Sequence, residues 1–344
     1  MFIELIRCFL PTVIVALAAL GIALGGVWVW AGVAGVLALV LADGVSGVDT
    51  VVHTRFPDWL YTAALYLPLP VILVLWFFFA QQIAADVATT GQRIVTLGSV
   101  AFLTTLGALP AGHELSHRKN WLALMYARVY SAILGLPMYD IYHIHGHHID
   151  VSTFQDHDTP RRGQTIYGFV YHSIFKSLRA CVNIERARLA QLGHGAFWWR
   201  GRIFESVCLL AVWFSIFIYF AGLRGIPYFF MTWLLAWLIF GGFNYTQHYG
   251  LIRKPGTAIE SRHSWNHLKM FSRAITFEIS NHSEHHLDPD KRYEYLQPMP
   301  NAPQMPSIVL CFVASFVPFI WENWVVKPRL KQWDLAATPE EQVL

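Results

Sequence analysis

Six apolar runs constrain the fold of this chain of 344 residues more than any other feature. A helix needs about 20 apolar residues to cross the hydrocarbon core of a bilayer, with a range of roughly 17–25. Charged residues make up only 14% of the chain, about half their share in soluble domains. The sequence therefore predicts an all-α integral membrane protein with about six transmembrane helices, at 9–24, 27–42, 60–80, 94–112, 203–222 and 226–243.

Two apolar stretches need interpretation. Residues 9–42 are apolar throughout, which is too long for one ordinary span, and the pair Gly25-Gly26 suggests a tight turn between two short helices. A further apolar run at 306–321 is shorter and contains Pro318, so we expect an interfacial or buried helix there. The N-terminal segment predicts an uncleaved membrane helix and not a secretory signal.

Basic residues divide unevenly between the two sides of the predicted membrane. With six spans and both chain ends on one side, only Arg93 and Arg224 of the 25 lysines and arginines fall on the opposite side. Because cytoplasmic loops collect Lys and Arg, the rich side is predicted to be cytoplasmic. The stretches 113–202 and 244–344 would form a helical cap there, and we expect the whole chain, 1–344, to be one domain.

Composition also excludes several classes of protein. The net charge is +3 and no basic arm or stripe is present, which argues against nucleic acid as a partner. The four cysteines, Cys8, Cys181, Cys208 and Cys311, are far apart. No CxxC pair occurs, so neither a zinc ribbon nor a rubredoxin-type iron site is expected.

Four short motifs contain nine closely spaced candidate ligands among the 16 histidines. On a helix, residues three or four positions apart lie on one face, so we expect each motif to aim its imidazoles at one point. All four motifs follow or adjoin predicted spans on the same side. They read Gly112-His113-Glu114-Leu115-Ser116-His117, His143-Ile144-His145-Gly146-His147-His148, Asn244-Tyr245-Thr246-Gln247-His248-Tyr249-Gly250 and Asn281-His282-Ser283-Glu284-His285-His286.

This pattern indicates a metal centre. Imidazole suits iron, copper, nickel and zinc, and nine imidazoles are too many for one ion, since zinc takes about four ligands. Two ions with four or five nitrogens each would use all nine. Without a metal, the buried imidazoles would need many other hydrogen-bond partners.

Three other metal proteins fit less well. His113-Glu114-Leu115-Ser116-His117 matches the HExxH motif of zinc proteases, but a protease leaves the other seven histidines unexplained. Soluble diiron proteins use Glu-x-x-His on a four-helix bundle, which is absent. Transporters place ligands near the bilayer midplane, whereas these ligands crowd one side.

The four motifs together resemble the membrane-bound histidine-rich diiron superfamily, which is fatty acid desaturase-like. Within it they are most similar to the branch of alkane and xylene monooxygenases. His113–Lys119 resembles the HELxHK-like first box of that branch, 142–148 resembles EHxxGHH, 244–251 resembles NYxEHYGL and 281–286 resembles RHSDHH. Tyr142 and Gln247 stand where glutamate is usual, so two acids that relatives have near the ligands are replaced in this chain.

The resemblance implies a site. Carried over residue by residue, the metal ligands are His113, His117, His143, His147, His148, His248, His282, His285 and His286. His145 falls at a non-ligand position. We interpret His53, His157, His172, His194, His263 and His267 as structural or surface residues, and the last two as candidates to touch the ligands. Carboxylates placed to orient imidazoles are Glu114, Asp150, Asp156, Glu278 and Glu284.

The resemblance also implies an activity. We expect O2-dependent hydroxylation of an unactivated C–H bond, in an alkane terminus or an aryl methyl group, at two iron ions in a bacterial inner membrane. A fatty acid desaturase or an oxidative decarboxylase that makes a terminal alkene is the alternative. The substrate would be an apolar hydrocarbon or fatty acyl chain from the bilayer, and Trp76, Phe77, Phe78, Phe102 and Trp237 are candidate pocket residues.

Electrons must come from another protein, because no nucleotide, ferredoxin or haem motif is present. We expect a ferredoxin or rubredoxin with its reductase. A basic region of the cap is predicted to steer an acidic donor, formed by Arg161, Arg162, Lys176, Arg179, Arg186 and Arg188.

Overall fold

The computed structural model describes residues 2–342, and it is helical with two isolated β-bridges and no strand among those residues. This confirms the all-α prediction. Residues 1, 343 and 344, which the single-domain prediction included, lie outside the described residues. The chain divides into two compact units, and the single domain stays a prediction.

The helices are numbered in chain order. The first are α1 (Phe2–Leu24), α2 (Ala31–Val45), α3 (Asp58–Tyr66), α4 (Pro68–Ala85), α5 (Thr90–Ser116) and α6 (Trp121–Ile133). They are followed by α7 (Tyr139–Tyr142), α8 (His148–Asp150), α9 (Ile166–Gln191), α10 (Arg202–Ala221) and α11 (Gly225–His248). The last are α12 (Met270–Ile275), α13 (His282–Leu287), α14 (Ile308–Ser315), α15 (Pro318–Ile320), α16 (Lys327–Ala336) and α17 (Pro339–Gln342). Turns of π-helix cover His143–His147 and Trp321–Val326, and 3₁₀ turns cover Gly26–Trp30, Ser261–His263 and Tyr293–Tyr295.

Six helical segments are long and apolar enough to cross a membrane, as the sequence predicts. They are Ile3–Leu24, Gly26–Val45, Asp58–Ala85, Thr90–Ser116, Arg202–Ala221 and Gly225–His248. The third contains two helices, because Pro68 begins α4 directly after the end of α3. The run at 306–321 forms the short helices α14 and α15, which are not among the six.

A glycine turn separates the first two spans. Gly25 and Gly26 have φ angles of +68° and +55°, in the left-handed region that costs a residue with a Cβ roughly 1–2 kcal/mol. Glycine adopts this conformation readily. The apolar stretch 9–42 therefore forms two helices and not one, as the sequence predicts.

The first unit comprises residues up to 39, 55–140 and 182–239, and an aromatic cluster around Trp76 forms its core. The ring of Trp76 makes edge contacts with Trp213, Phe217 and Phe229, at centroid distances of 5.0, 5.1 and 5.8 Å. Its indole N–H donates to Thr104 Oγ1 at 2.9 Å. Since each aromatic pair contributes roughly 0.5–1.5 kcal/mol, the cluster joins α4, α5, α10 and α11 within this unit.

The second unit comprises residues 40–54, 141–181 and those from 240 onwards. Buried polar contacts hold its segment 40–54 against α12. Asp43 accepts from Ser272 N at 2.7 Å and Ser272 Oγ at 2.6 Å. Arg273, which is 1% exposed, donates to Glu278 Oε2 at 2.5 Å and to the Asp49 carbonyl at 2.7 Å. These bonds satisfy groups that burial would otherwise leave unpaired.

Candidate metal centre

Four histidines of the second unit converge in its interior. One ring nitrogen from each of His147, His248, His282 and His286 lies within 4.8 Å of the other three. His282 Nε2 is 2.7 Å from His248 Nε2 and 3.1 Å from His286 Nε2. No residue of this four-histidine group is more than 3% exposed.

Three further histidines of the same unit form a second cluster. His148 Nε2 lies 3.0 Å from His143 Nε2 and 3.1 Å from His285 Nε2. His143 and His285 are buried and His148 is half-buried. We call these residues the three-histidine group.

The two groups have the chemistry of metal sites. Nitrogen atoms that bind one ion at roughly 2.0–2.1 Å lie about 3 Å apart, close to the spacing of these ring nitrogens. A neutral imidazole has one N–H and one lone pair, so the converging nitrogens offer lone pairs that a cation would satisfy. A donor set made only of imidazole fits a transition metal such as iron.

In the four-histidine group, a hydrogen bond fixes the tautomer of His282. His282 Nδ1 donates to the Ile279 carbonyl at 3.0 Å, because a carbonyl only accepts. Burial lowers the pKa of His282 to about 3 and holds the pKa of His286 well below its ordinary value. Both rings are therefore neutral at pH 7, and the His282 lone pair is at Nε2, as a metal ligand requires.

A π-helical turn divides the second motif between the two groups. In a π-helix the backbone bonds join residues five apart. His143 Nε2 lies 3.0 Å from His148 Nε2, whereas the rings of His143 and His147 stack with centroids 5.4 Å apart. His147 lies in the four-histidine group instead. Our expectation that each motif aims at one point is wrong for this motif, because it assumed α-helical spacing through 143–147.

The fourth motif is divided as well, although it is α-helical. His282 and His286, four positions apart on α13, belong to the four-histidine group. His285 belongs to the three-histidine group. Residues four positions apart therefore contribute to one group, as expected for His282 and His286, whereas His285 contributes to the other group.

His113 and His117 lie in the first unit, at the end of α5. Their ring centroids are 5.2 Å apart, and His113 is buried. The helix continues to Ser116, four residues beyond the span predicted at 94–112, and the buried Glu114 pairs with Arg118 at 2.6 Å.

Of the candidate carboxylates, Asp156 contacts a histidine of the groups. Asp156 Oδ2 accepts from His147 Nδ1 at 2.9 Å and from Thr159 Oγ1 at 2.6 Å. Its Oδ1 accepts from Tyr142 Oη and from Asp158 N, both at 3.0 Å. Burial opposes ionisation, but His147 and these bonds leave the pKa of Asp156 below its ordinary value. A carboxylate bonded to a ligand ring fixes its orientation.

The other candidate acids have different partners. Glu278 binds Arg273 at 2.5 Å, Glu284 binds Lys291 and Glu114 binds Arg118. For Asp150, burial raises the pKa of the carboxyl, and its side chain has no described bond to a histidine.

Two further polar residues lie near the groups. Asp158 was not identified from the sequence, and Gln247 was noted only as a departure from the family motif. Asp158 is fully buried, accepts from Ser173 Oγ at 2.6 Å, and burial raises its pKa to about 6. Gln247 Nε2 donates at 3.2 Å to the Ile279 carbonyl, which also binds His282. An ionised glutamate at position 247 would have no proton to donate to the Ile279 carbonyl.

The remaining histidines have structural contacts, as expected. His145 is exposed, and His157 stacks on Tyr142 at 5.5 Å. His263 Nε2 lies 3.0 Å from Glu341, and His267 Nδ1 donates to the Pro306 carbonyl at 2.8 Å. Neither of these two touches a ligand candidate through a described bond. His53 binds Asp49, His172 binds Gly168 and His194 stacks on Trp198.

The first unit contains an apolar cavity of about 400 Å³. Trp76 and Phe77 line it, as predicted, but Phe78, Phe102 and Trp237 are not among its lining residues. α4, α6 and α10 supply the walls, which include Leu73, Ala132, Ile133, Val212, Trp213 and Phe217. A cavity of this size is in the range of small-molecule sites.

Comparison with known proteins gives one consistent result. A family model described as fatty acid desaturase matches residues 92–312. The chain is 33% identical to the xylene/toluene monooxygenase hydroxylase component XylM of Pseudomonas putida, over 99% of this chain and 93% of that protein. It is 26% identical to an alkane 1-monooxygenase of Pseudomonas putida, over 89% and 77%, and 27% identical to alkane 1-monooxygenase 1 of Alcanivorax borkumensis, over 88% and 76%. The chain belongs to the fatty acid desaturase family.

Proposed function

We propose that this protein is a membrane non-haem diiron monooxygenase that hydroxylates an apolar substrate at an unactivated C–H bond. The observation that carries the proposal is the pair of converging imidazole groups, in a chain whose relatives are named monooxygenases. An aryl methyl group is the first substrate class, because the relative named for xylene and toluene has 33% identity. An alkane terminus is the second.

Two iron ions would use the nine predicted ligands. The four-histidine group would hold one ion, and the three-histidine group the other. We assign His113 and His117 to the second ion from the resemblance of their motif, which brings its ligand count to five. When bound, the iron ions would supply O2 activation with two external electrons and two protons, so that one oxygen atom would enter the C–H bond and the other would leave as water.

The chain's own residues prepare this chemistry. Asp156 fixes the ring of His147, and the Ile279 carbonyl fixes that of His282. Burial of the four-histidine group keeps bulk water away, and it lowers the pKa of His282 and of His286 so that these two imidazoles are neutral. The groups are therefore held in a ligand-ready arrangement before a metal arrives.

The cavity of the first unit is the proposed substrate site. Its lining is apolar and aromatic, and no Arg or Lys is among its described lining residues. A fatty acid bound there would leave its carboxylate without a cationic partner, which is costly. The apolar lining therefore favours a hydrocarbon substrate. It argues against a fatty acid desaturase or an oxidative decarboxylase, the alternative activity that agrees with the description of the family model.

The electron donor is proposed to be a separate ferredoxin or rubredoxin with its reductase. The relative's name as a hydroxylase component supports a multi-component system. Lys176 and Arg179 are exposed on α9, but Arg162 is paired with Asp334 and Arg188 with Glu185. We therefore narrow the proposed steering region to Arg161, Lys176, Arg179 and Arg186.

We further propose that the protein lies in a bacterial inner membrane. The distribution of basic residues supports an orientation with the metal centre on the cytoplasmic side. This orientation would give a cytoplasmic donor access to the loops that carry the second and fourth motifs. The substrate would enter from the bilayer, which it shares with the six apolar helices.

Product analysis under ¹⁸O2 tests the function. Membranes with the protein and a ferredoxin or rubredoxin system receive p-xylene, octane and dodecanoic acid in separate reactions. We expect ¹⁸O-labelled alcohol from p-xylene, and from octane if the alkane class is used. An alkene or unsaturated acid from dodecanoic acid, with no labelled alcohol from any substrate, would contradict the proposal and support the alternative.

A further inference from the structure

We infer that Tyr142 is a positioning residue for the four-histidine group and acts through Asp156 on His147. The inference rests on the proposed function only in requiring a metal ion in that group. Tyr142 stands where the motif that this stretch resembles usually has glutamate.

A continuous set of bonds joins the tyrosine hydroxyl to the ligand ring. Tyr142 Oη donates to Asp156 Oδ1 at 3.0 Å and accepts from His157 N at 2.6 Å. The other oxygen, Asp156 Oδ2, accepts from His147 Nδ1 at 2.9 Å. Tyr142 therefore binds one oxygen of the Asp156 carboxylate, and the other oxygen binds the His147 ring. Without the hydroxyl, Oδ1 keeps only the Asp158 N–H.

Close packing fixes the position of that hydroxyl. The Tyr142 ring lies so near Gly146 that a Cβ at this glycine would be 2.5 Å from Tyr142 Cε2. On another side the ring stacks on His157, with centroids 5.5 Å apart and an angle of 11° between the planes. Tyr142 is 4% exposed. The ring has little room to turn, so Oη stays at the carboxylate.

The chemistry of the replacement supports the same role. An ionised glutamate has no proton to donate to Asp156 and would place a second negative charge beside it. A tyrosine hydroxyl donates to the carboxylate and adds no charge. This neutral donor allows Asp156 to accept from the His147 ring without a competing acid at its other oxygen.

Cobalt titration of the metal-free protein in detergent tests the inference. Co²⁺ does not need O2 or electrons, and its visible absorption reports the ligand geometry. Wild type is expected to bind two Co²⁺ ions per chain. Y142F removes only the hydroxyl and should weaken one of the two sites about 10–100-fold, the usual effect of losing a bond that orients a ligand, with the other site unchanged.

Three further variants make the test specific. D156N should weaken the same site, and the double variant Y142F/D156N should be no weaker than D156N alone, because Tyr142 acts through Asp156. T159A removes another donor to Asp156 and should give a smaller loss at that site. Y245F is the matched control, since this buried hydroxyl donates to the Gln164 carbonyl at 2.6 Å, and it should bind Co²⁺ like wild type.

The outcomes separate the inference from the function. Unchanged affinity at both sites in a folded Y142F protein would overturn the positioning role alone, as would full additivity in the double variant. If Y142F does not fold, an unchanged Co²⁺ affinity in a folded D156N protein overturns the role instead, because Tyr142 is inferred to act through Asp156. If wild type binds neither Co²⁺ nor iron, the proposed function fails and takes this inference with it.

Discussion

His143 and His148 lie five positions apart on a π-helical turn, and their Nε2 atoms are 3.0 Å from one another. His147, four positions from His143, belongs to the other group of histidines. One motif therefore supplies ligands to two candidate sites, and the extra residue in the turn makes this division. Turns of π-helix inside α-helices are frequent at functional sites.

Gly146 is predicted to be essential for this turn. In G146A the new methyl group would meet the Tyr142 ring at 2.5 Å, and overpacking of this kind costs roughly 1–3 kcal/mol. We expect lower thermal stability and a loss of iron from both groups, measured by calorimetry and by mass spectrometry of bound metal. G168A is the control, because its methyl group would have ordinary contacts at 3.6 Å. Full iron content in G146A would show that the turn does not set the ligand positions.

Single histidine substitutions should remove one ion at a time. H248A takes a ligand from the four-histidine group and H285A takes one from the three-histidine group. Each is expected to lower the iron content by about one ion per chain and turnover by at least a hundredfold. H145A changes an exposed residue of the second motif and should leave the iron content at the wild-type value. Retention of both ions by H248A would contradict the assignment of its group.

The spans and the first turn could be predicted from the sequence, because apolar length and glycine act over short stretches of chain. The apolar length predicts the six spans, and Gly25-Gly26 predicts the turn between the first two. The π turn is not predictable from spacing, because HxxxHH fits an α-helix equally well. Asp156 is one of five acids near the motifs, and only tertiary packing selects it. The break between α3 and α4 at Pro68 is not predictable from the proline alone, because Pro110 lies inside the continuous helix α5.

Ala132 allows a test of the proposed substrate cavity. It is 3% exposed and lines the cavity, so a phenyl group at this position would fill part of the space. A132F should lower kcat/KM for p-xylene roughly tenfold, which corresponds to about 1.4 kcal/mol of transition-state binding. Its iron content should be unchanged. A132S adds only a hydroxyl and serves as the steric control. Equal kinetics for A132F and wild type would exclude this cavity as the substrate site.

Charge reversal tests the docking of the electron donor. Lys176 and Arg179 lie three positions apart on α9 and are exposed, so K176E/R179E should repel an acidic donor. We expect turnover with a ferredoxin or rubredoxin to fall about tenfold at low ionic strength, with the difference shrinking at high salt. K327E/K331E, with both residues exposed on α16, is the control because it makes the same change in net charge. Identical rates for the double variant and wild type at low salt would contradict steering by this region.

The central claim of two metal ions in two histidine groups is tested most directly by metal analysis of the purified protein with Mössbauer spectroscopy. We predict two iron ions per chain in two distinct environments, because we assign four imidazoles to one ion and five to the other. A single zinc ion, or no bound metal in an active and folded preparation, would contradict this claim.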